Sequence, residues 1–220
     1  METGTDAVCF DMDGVLVDSE DYWGPYERSE LFPRACPGQS VDIGEITGMN
    51  YREIYDYLDE HYAVAMDRDA FLAWFDDTAA TLYGEDVSLL PGARELVGTL
   101  RERGVAVALV SSSPHDWIDV VRDRFNLAFD DVISADAFDG PGKPAPGVYA
   151  HAVDRLDADG DRTIAVEDSG HGIEAARRAG LTVVGFRHGE ADGDGTHPGG
   201  ADYAAESPAD LRGYLLDRTA

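Results

Sequence analysis

Asp11 and Asp13 stand two residues apart, directly behind the apolar run Ala7-Val8-Cys9-Phe10. If the strand that such a run predicts continues through them, its two-residue period sends both side chains to one side. Two carboxylates that close repel each other unless a cation holds them. The pair is therefore a metal site, a carboxylate nucleophile beside its acid/base partner, both at once, or two solvated aspartates in a loop. Gly14, next in line, gives the backbone freedom to turn there.

Three further segments carry residues suited to the same chemistry. Ser111-Ser112-Ser113 follows a predicted strand, Val105–Val110. Hydroxyls and backbone N–H groups at a strand-to-helix turn bind anions or simply cap the helix. Lys143, in Gly142-Lys143-Pro144-Ala145-Pro146, is the single lysine among 17 basic residues. A compact ammonium fits between a phosphate oxygen and a carboxylate where a planar guanidinium does not. At ~4 Å and an effective dielectric of about 20, one such contact is of order 4 kcal/mol before desolvation. Glu167-Asp168 follows the predicted strand Thr163–Val166 and precedes Ser169-Gly170-His171-Gly172-Ile173. Two acids there are hard oxygen ligands of the kind Mg²⁺ takes.

These segments need a scaffold that brings strand ends together. Strand patterns fall at Ala7–Phe10, Val105–Val110, Val132–Ile133, Thr163–Val166 and Thr182–Phe186. Helical patterns fall at Ala93–Arg103, Trp117–Arg124, Gly147–Leu156, Gly172–Ala179 and Asp210–Leu216. The alternation predicts an α/β fold with a doubly wound parallel sheet, which places ligands at the carboxyl ends of its strands. Residues 18–87 break the pattern. Their apolar and aromatic residues (Ile54, Tyr57, Leu58, Tyr62, then Phe71, Trp74, Phe75, Leu82) keep helical spacing. We expect a small all-helical domain, 18–87, inserted after the first strand into an α/β domain of 1–17 and 88–220. Pro91-Gly92 would return the chain to the sheet, and the aromatics are read as helix-packing core.

Composition narrows the partners. The chain has 220 residues, 44% of them hydrophobic, with 44 acidic against 17 basic side chains and a net charge of −27. Nucleic acid and anionic membranes both call for basic surface, so neither is expected as a partner. No apolar run reaches the length of a membrane span, and no secretory signal pattern opens the sequence. Two cysteines, Cys9 and Cys36, make no disulfide framework and fit a cytoplasmic setting. Acids spread along the whole chain, with Arg in place of Lys, suit a cytosol of molar salt. A monomer is the default expectation for so charged a chain. Asp157–Asp161 and Glu190–Gly195 imitate calcium loops, but Arg162 stands where the first needs Gly, and Ala201 where the second needs its bidentate Glu.

Taken in order, Asp11-Met12-Asp13-Gly14-Val15, Ser111, Lys143-Pro144-Ala145-Pro146 and Glu167-Asp168-Ser169-x-x-Gly172-Ile173 resemble the four motifs of the haloacid dehalogenase superfamily. The resemblance covers nearly the whole chain. Asp18-Ser19-Glu20 and Pro91-Gly92-Ala93 resemble the flanks of the helical cap in the subgroup of β-phosphoglucomutases, phosphoglycolate phosphatases and sugar-phosphate phosphatases. The resemblance implies a Mg²⁺-dependent phosphatase for a small phosphorylated metabolite. Asp11 would attack phosphorus, and Asp13 would protonate the leaving oxygen and then activate water. The ion would rest on Asp11, the backbone carbonyl of Asp13, Asp168 and Glu167. Ser111 and Lys143 would hold the phosphoryl oxygens, with backbone N–H groups of Met12 and Ser112 completing the cradle.

The same resemblance separates the relatives. Haloacid dehalogenases lack the carboxylate found here as Asp13. Phosphonoacetaldehyde hydrolases need a cap lysine, and residues 18–87 contain none. Mutases carry a His where Trp23 stands, and a cap lysine, so both departures favour hydrolysis over mutation. A β-phosphoglucomutase-like activity stays open as the alternative within enzymes, and a catalytically idle binding module as the alternative outside them. Gly48–Arg52 resembles the cap loop that reaches the leaving group. Arg52 is a candidate for a second anionic group on the substrate, and His115 a candidate substrate contact. His171 is read as serving the motif turn alone.

Overall fold

The computed structural model describes residues 4–46, 49–188 and 199–219. Six parallel strands form one sheet: β1 (Ala7–Phe10), β2 (Ala106–Ser111), β3 (Asp131–Ser134), β4 (Thr163–Glu167), β5 (Thr182–Gly185) and β6 (Tyr203–Ala204), in the order β3-β2-β1-β4-β5-β6. The chain winds outward from β1 on one side and then from β4 on the other. The switch point lies between β1 and β4, where an open parallel sheet leaves a crevice at its strand ends. Asp11 follows β1, while Ser111 ends β2 and Glu167 ends β4.

Strand alternation explains the two-sided burial. Val8, Phe10, Val107, Leu109, Ile164 and Val166 face one apolar cluster, and Cys9, Ala108, Val110 and Ala165 face the other. A sheet buried on both faces reads as a continuous apolar run, as Ala7–Phe10 does. The first cluster is covered by α5 (Ala93–Glu102), α6 (His115–Phe125) and α9 (Pro208–Arg218), which bury Leu96, Leu100, Ile118, Leu211 and Leu215. The second is covered by α7 (Gly147–Arg155) and α8 (Gly170–Arg178), through Val148, Tyr149, Ile173 and Ala176. The expected doubly wound α/β fold is what the chain adopts. The two-residue β6 had no counterpart in the sequence pattern, because it is too short to show an alternation.

Between β1 and α5 the described regular elements are helices. α1 (Glu20–Tyr26) runs through a π-helical turn, Glu27–Leu31, into α2 (Phe32–Ala35); α3 (Tyr51–His61) and α4 (Arg68–Thr81) follow, and a second π-helical turn spans Leu82–Asp86. Asn50 and Glu53 form a reciprocal capping box at α3, and Asp67 caps α4. Ile54, Leu58, Phe71, Phe75 and Leu82 are buried, as their spacing predicts. Pro25 inside α1 withholds a backbone N–H, and the first π turn follows it. Among the described residues, no helix is long and apolar enough to cross a membrane.

Candidate active site

β1 delivers Asp11 to the switch point, buried to 6% exposure. The Lys143 Nζ donates to Asp11 Oδ1 at 3.0 Å, to Glu167 Oε1 at 2.6 Å and to the Val110 carbonyl at 3.1 Å. A guanidinium could not satisfy these three close acceptors from one nitrogen. Burial alone would lower the Lys143 pKa, but Asp11 and Glu167 outweigh it and raise the value. Tyr149 donates its hydroxyl to the same Glu167 oxygen. Glu167 thus anchors the lysine from below, with Gly172 leaving it room: a Cβ there would fall 2.0 Å from Glu167 Oε2.

Asp13 is held by hydroxyls from three parts of the chain. Ser19 Oγ and Tyr83 OH donate to Oδ1 at 2.7 and 2.6 Å, and Ser113 Oγ donates to Oδ2 at 2.8 Å. Ser111 Oγ lies 3.5 Å from Oδ2 and accepts the Ser113 N–H at 3.0 Å. Trp23 Nε1 in turn donates to Tyr83 OH at 3.0 Å. Gly14 has a φ of +69°, and a Cβ on it would lie 2.0 Å from Asp168 Oδ2. The motif therefore needs glycine at this position on both counts.

Asp11, Glu167 and Asp168 each turn a carboxylate oxygen to within 4.8 Å of the others. Burial pushes Asp11 well up, Lys143 opposes the rise, and Glu167 and Asp13 add to it. Burial also pushes Asp168 well up, with Glu20, Asp11 and Glu167 adding and Arg187 opposing. One buried ammonium among so many carboxylates leaves the cluster short of positive charge. A hard divalent cation with oxygen ligands fits that donor set. The Asp13 carboxylate is not part of the group, since its oxygens are taken by hydroxyls, so only its expected backbone carbonyl is left as a ligand.

The cavity above these residues is roofed by the helical segment. Trp23, Glu27, Tyr51, Phe75 and Tyr83 line it, and Trp117 of α6 closes one side. Asn50 Nδ2 donates to the Ser112 carbonyl at 2.7 Å and to Asp136 Oδ1 at 3.1 Å, which docks the start of α3 on the sheet. Ser112 and Ser113 line the cavity, whereas Ser111 is fully buried behind them. Met12 is buried too, and its carbonyl accepts the N–H groups of Leu16 and Val17 in the motif turn.

Arg52 and His115 are not brought to this cavity. They line a neighbouring one, where Arg52 Nε donates to Asp136 Oδ1 at 2.8 Å and its guanidinium lies 4.8 Å from the Tyr51 ring centroid. The α3 capping box explains the difference: with Tyr51 turned inward, its neighbour Arg52 points away along the interface. Gly48 lies outside the described residues, as does the acidic stretch Glu190–Gly195. Tyr83, Tyr149, Ser113, Glu20 and Glu27 join the site without having been legible as site residues. A hydroxyl run and the Asp18-Ser19-Glu20 flank were the local hints available.

Comparison with known proteins gives the arrangement its context. The family model of haloacid dehalogenase-like hydrolases matches residues 5–180. Hexitol phosphatase B of Escherichia coli is 31% identical over 196 residues, covering 86% of each chain. A phosphorylated carbohydrates phosphatase of Thermotoga maritima is 30% identical over 218 residues, covering 96% of this chain and 99% of its own. The structure of a β-phosphoglucomutase from Clostridium difficile superposes with a TM-score of 0.75 at 20% identity, covering 98% of this chain and 97% of its own.

Proposed function

The chain belongs to the haloacid dehalogenase-like hydrolases, and its named relatives include phosphatases; on that premise we propose that it hydrolyses a small phosphorylated metabolite, a sugar phosphate or a phosphoglycolate-like ester, through an aspartyl-phosphate at Asp11. The observation that carries the proposal is the pairing of two differently treated carboxylates. Asp11 has one oxygen on an ammonium, at 3.0 Å, while Asp13, two residues on, is clasped by hydroxyls alone.

In the first half-reaction an Asp11 oxygen attacks phosphorus and forms the acyl–phosphate bond as the bond to the leaving oxygen breaks. Asp13 delivers its proton to that oxygen, so the product leaves as an alcohol. Lys143 neutralises charge on the phosphoryl oxygens while keeping Asp11 in place. The N–H groups of Ser112, which lines the cavity, and of Met12 would supply further donors, while Ser111 and Ser113 are engaged with each other and with Asp13. In the second half-reaction Asp13 takes a proton from water, which attacks phosphorus and releases inorganic phosphate and the Asp11 carboxylate.

Asp11, Asp168, the Asp13 carbonyl and Glu167 would hold Mg²⁺. Its charge would offset repulsion between these carboxylates and the incoming phosphoryl group. Glu167 has one oxygen committed to Lys143 and Tyr149, and Ser169 Oγ donates to the other at 3.5 Å. We further infer that residues 18–87 act as a cap on a core of 1–17 and 88–220, sheltering the first step from water and opening for the second. The acidic, lysine-depleted composition supports adaptation to molar salt and a cytoplasmic setting.

The test is phosphate release from p-nitrophenyl phosphate with Mg²⁺ and KCl. Wild type should turn over and Asp11→Asn should not; full activity in the variant would overturn the mechanism. A phosphomutase would instead isomerise a hexose 1-phosphate primed by a bisphosphate, with little net phosphate release. Trp23 bonded to Tyr83 and the absence of lysine from residues 18–87 both favour hydrolysis.

A further inference from the structure

The roof of the cavity has a chemistry that the phosphoryl site below it does not require. Glu27 is the first residue of the π-helical turn Glu27–Leu31, is only 9% exposed, and lines the cavity. π turns inside helices occur disproportionately at functional sites. Burial pushes the Glu27 carboxyl up to about 8, with Glu20 adding and Arg28 opposing. Around it stand aromatic faces in mutual contact. Trp23 stacks on Phe75 and Trp117 with centroids 5.2 and 5.8 Å apart, and Tyr51 meets Trp117 at 4.9 Å.

The described roof residues that line the cavity carry no positive charge. Among the described residues lining this cavity, Lys143 is the single cation, and it is committed to Asp11 and Glu167 at the floor. Arg52, the residue that could have met a second anion, is turned to Asp136 in the next cavity. A substrate carboxylate or second phosphate in this cavity would lose its hydration and meet acids and aromatic faces instead. A neutral polyhydroxy chain or ring would lay its C–H faces on the rings and direct its hydroxyls to the Glu27 oxygens.

We propose that Glu27 is a specificity-determining residue that hydrogen-bonds the hydroxyls of a neutral polyhydroxy phosphate, and that this cavity rejects phosphoesters bearing a second anionic group. The inference rests on the phosphatase reading above and narrows its substrate class.

The experiment compares kcat/KM for glucitol 6-phosphate, 2-phosphoglycolate and p-nitrophenyl phosphate, with Mg²⁺ and KCl, in wild type, Glu27→Gln and Glu27→Leu. Wild type should favour glucitol 6-phosphate over 2-phosphoglycolate by about a hundredfold, since an uncompensated buried charge discriminates at least that strongly. The ratio of glucitol 6-phosphate to p-nitrophenyl phosphate should fall about tenfold in Glu27→Leu. It should fall less in Glu27→Gln, whose amide still pairs with hydroxyls. Equal or better use of 2-phosphoglycolate by wild type overturns the inference even if neither variant folds, as does an unchanged ratio in a folded Glu27→Leu. Wild type inert toward all three esters would instead overturn the phosphatase reading, and this inference with it.

Discussion

Tyr83 donates its hydroxyl to Asp13 Oδ1 at 2.6 Å, tying the end of the helical insertion to the end of the first strand. The phenol is held as a donor: burial, and then the Asp13 charge and hydrogen bond, push its pKa well above the ordinary value. Trp23 Nε1 fixes the same hydroxyl from the other side at 3.0 Å. A residue of the roof therefore sets the direction in which the Asp13 carboxylate, the proposed acid/base, points. Tyr83→Phe removes that donor and keeps the ring. For p-nitrophenyl phosphate, kcat should fall about tenfold with KM nearly unchanged, as expected when a positioning bond is lost. A change confined to KM would contradict a role in positioning Asp13.

Gly172 is the second close approach on which the site depends. A Cβ there would meet the Glu167 carboxylate, which Lys143 and Tyr149 hold in place. Gly172→Ala must displace a buried, paired acid, and it should destabilise the fold by about 3 kcal/mol. Urea denaturation checks this. A stability equal to wild type would mean that Glu167 is free to move.

Glu27 should leave a mark on stability as well as on specificity. Its carboxyl stands at about 8 in the fold against 4.5 as the ordinary value. Between those values the folded chain holds a proton that the unfolded chain has released, so stability falls as pH rises through the window. Relative to Glu27→Gln, wild type should lose of order a few kcal/mol between about pH 5 and pH 8. Thermal melts of both proteins at one fixed KCl concentration measure the difference. Parallel pH profiles would show that the carboxyl is not held protonated.

A net charge of −27 makes self-repulsion a large term in dilute buffer, and salt screens it. The melting temperature should climb as KCl rises into the molar range. A melting temperature that is already maximal well below molar salt would remove the case for salt adaptation.

Much of this arrangement was legible from local pattern. Asp11, Lys143, Glu167 and Asp168 meet because each stands at or beside a strand end of one parallel sheet, and strand ends can be read from apolar runs. Gly14 was legible as a turn position, but only the fold shows that carboxylates pack against it and against Gly172. The roof was much less legible. Tyr83 and Glu27 reach the cavity through two π-helical turns, which shift side chains off the ordinary helical period. Arg52 read as an anion-binding residue because its loop had the right place in the chain. Its direction was decided by the Asn50–Glu53 capping box and by Asp136, 84 residues further on. Ser111 and Ser113 are interchangeable by type, and only the fold shows Ser113 facing the cavity and Asp13 while Ser111 is buried behind it.

The central claim is that Asp11 carries the phosphoryl group. It is tested most directly in Asp13→Asn. p-Nitrophenolate leaves without needing a proton, so the first step should survive in this variant, while the second step lacks its base. After acid quenching, mass mapping of the variant incubated with p-nitrophenyl phosphate and Mg²⁺ should find one phosphoryl group on the peptide containing Asp11, and none when Asp11 is also replaced by Asn. Release of p-nitrophenol with no phosphoryl group on Asp11, or with the group on another residue, would contradict the account.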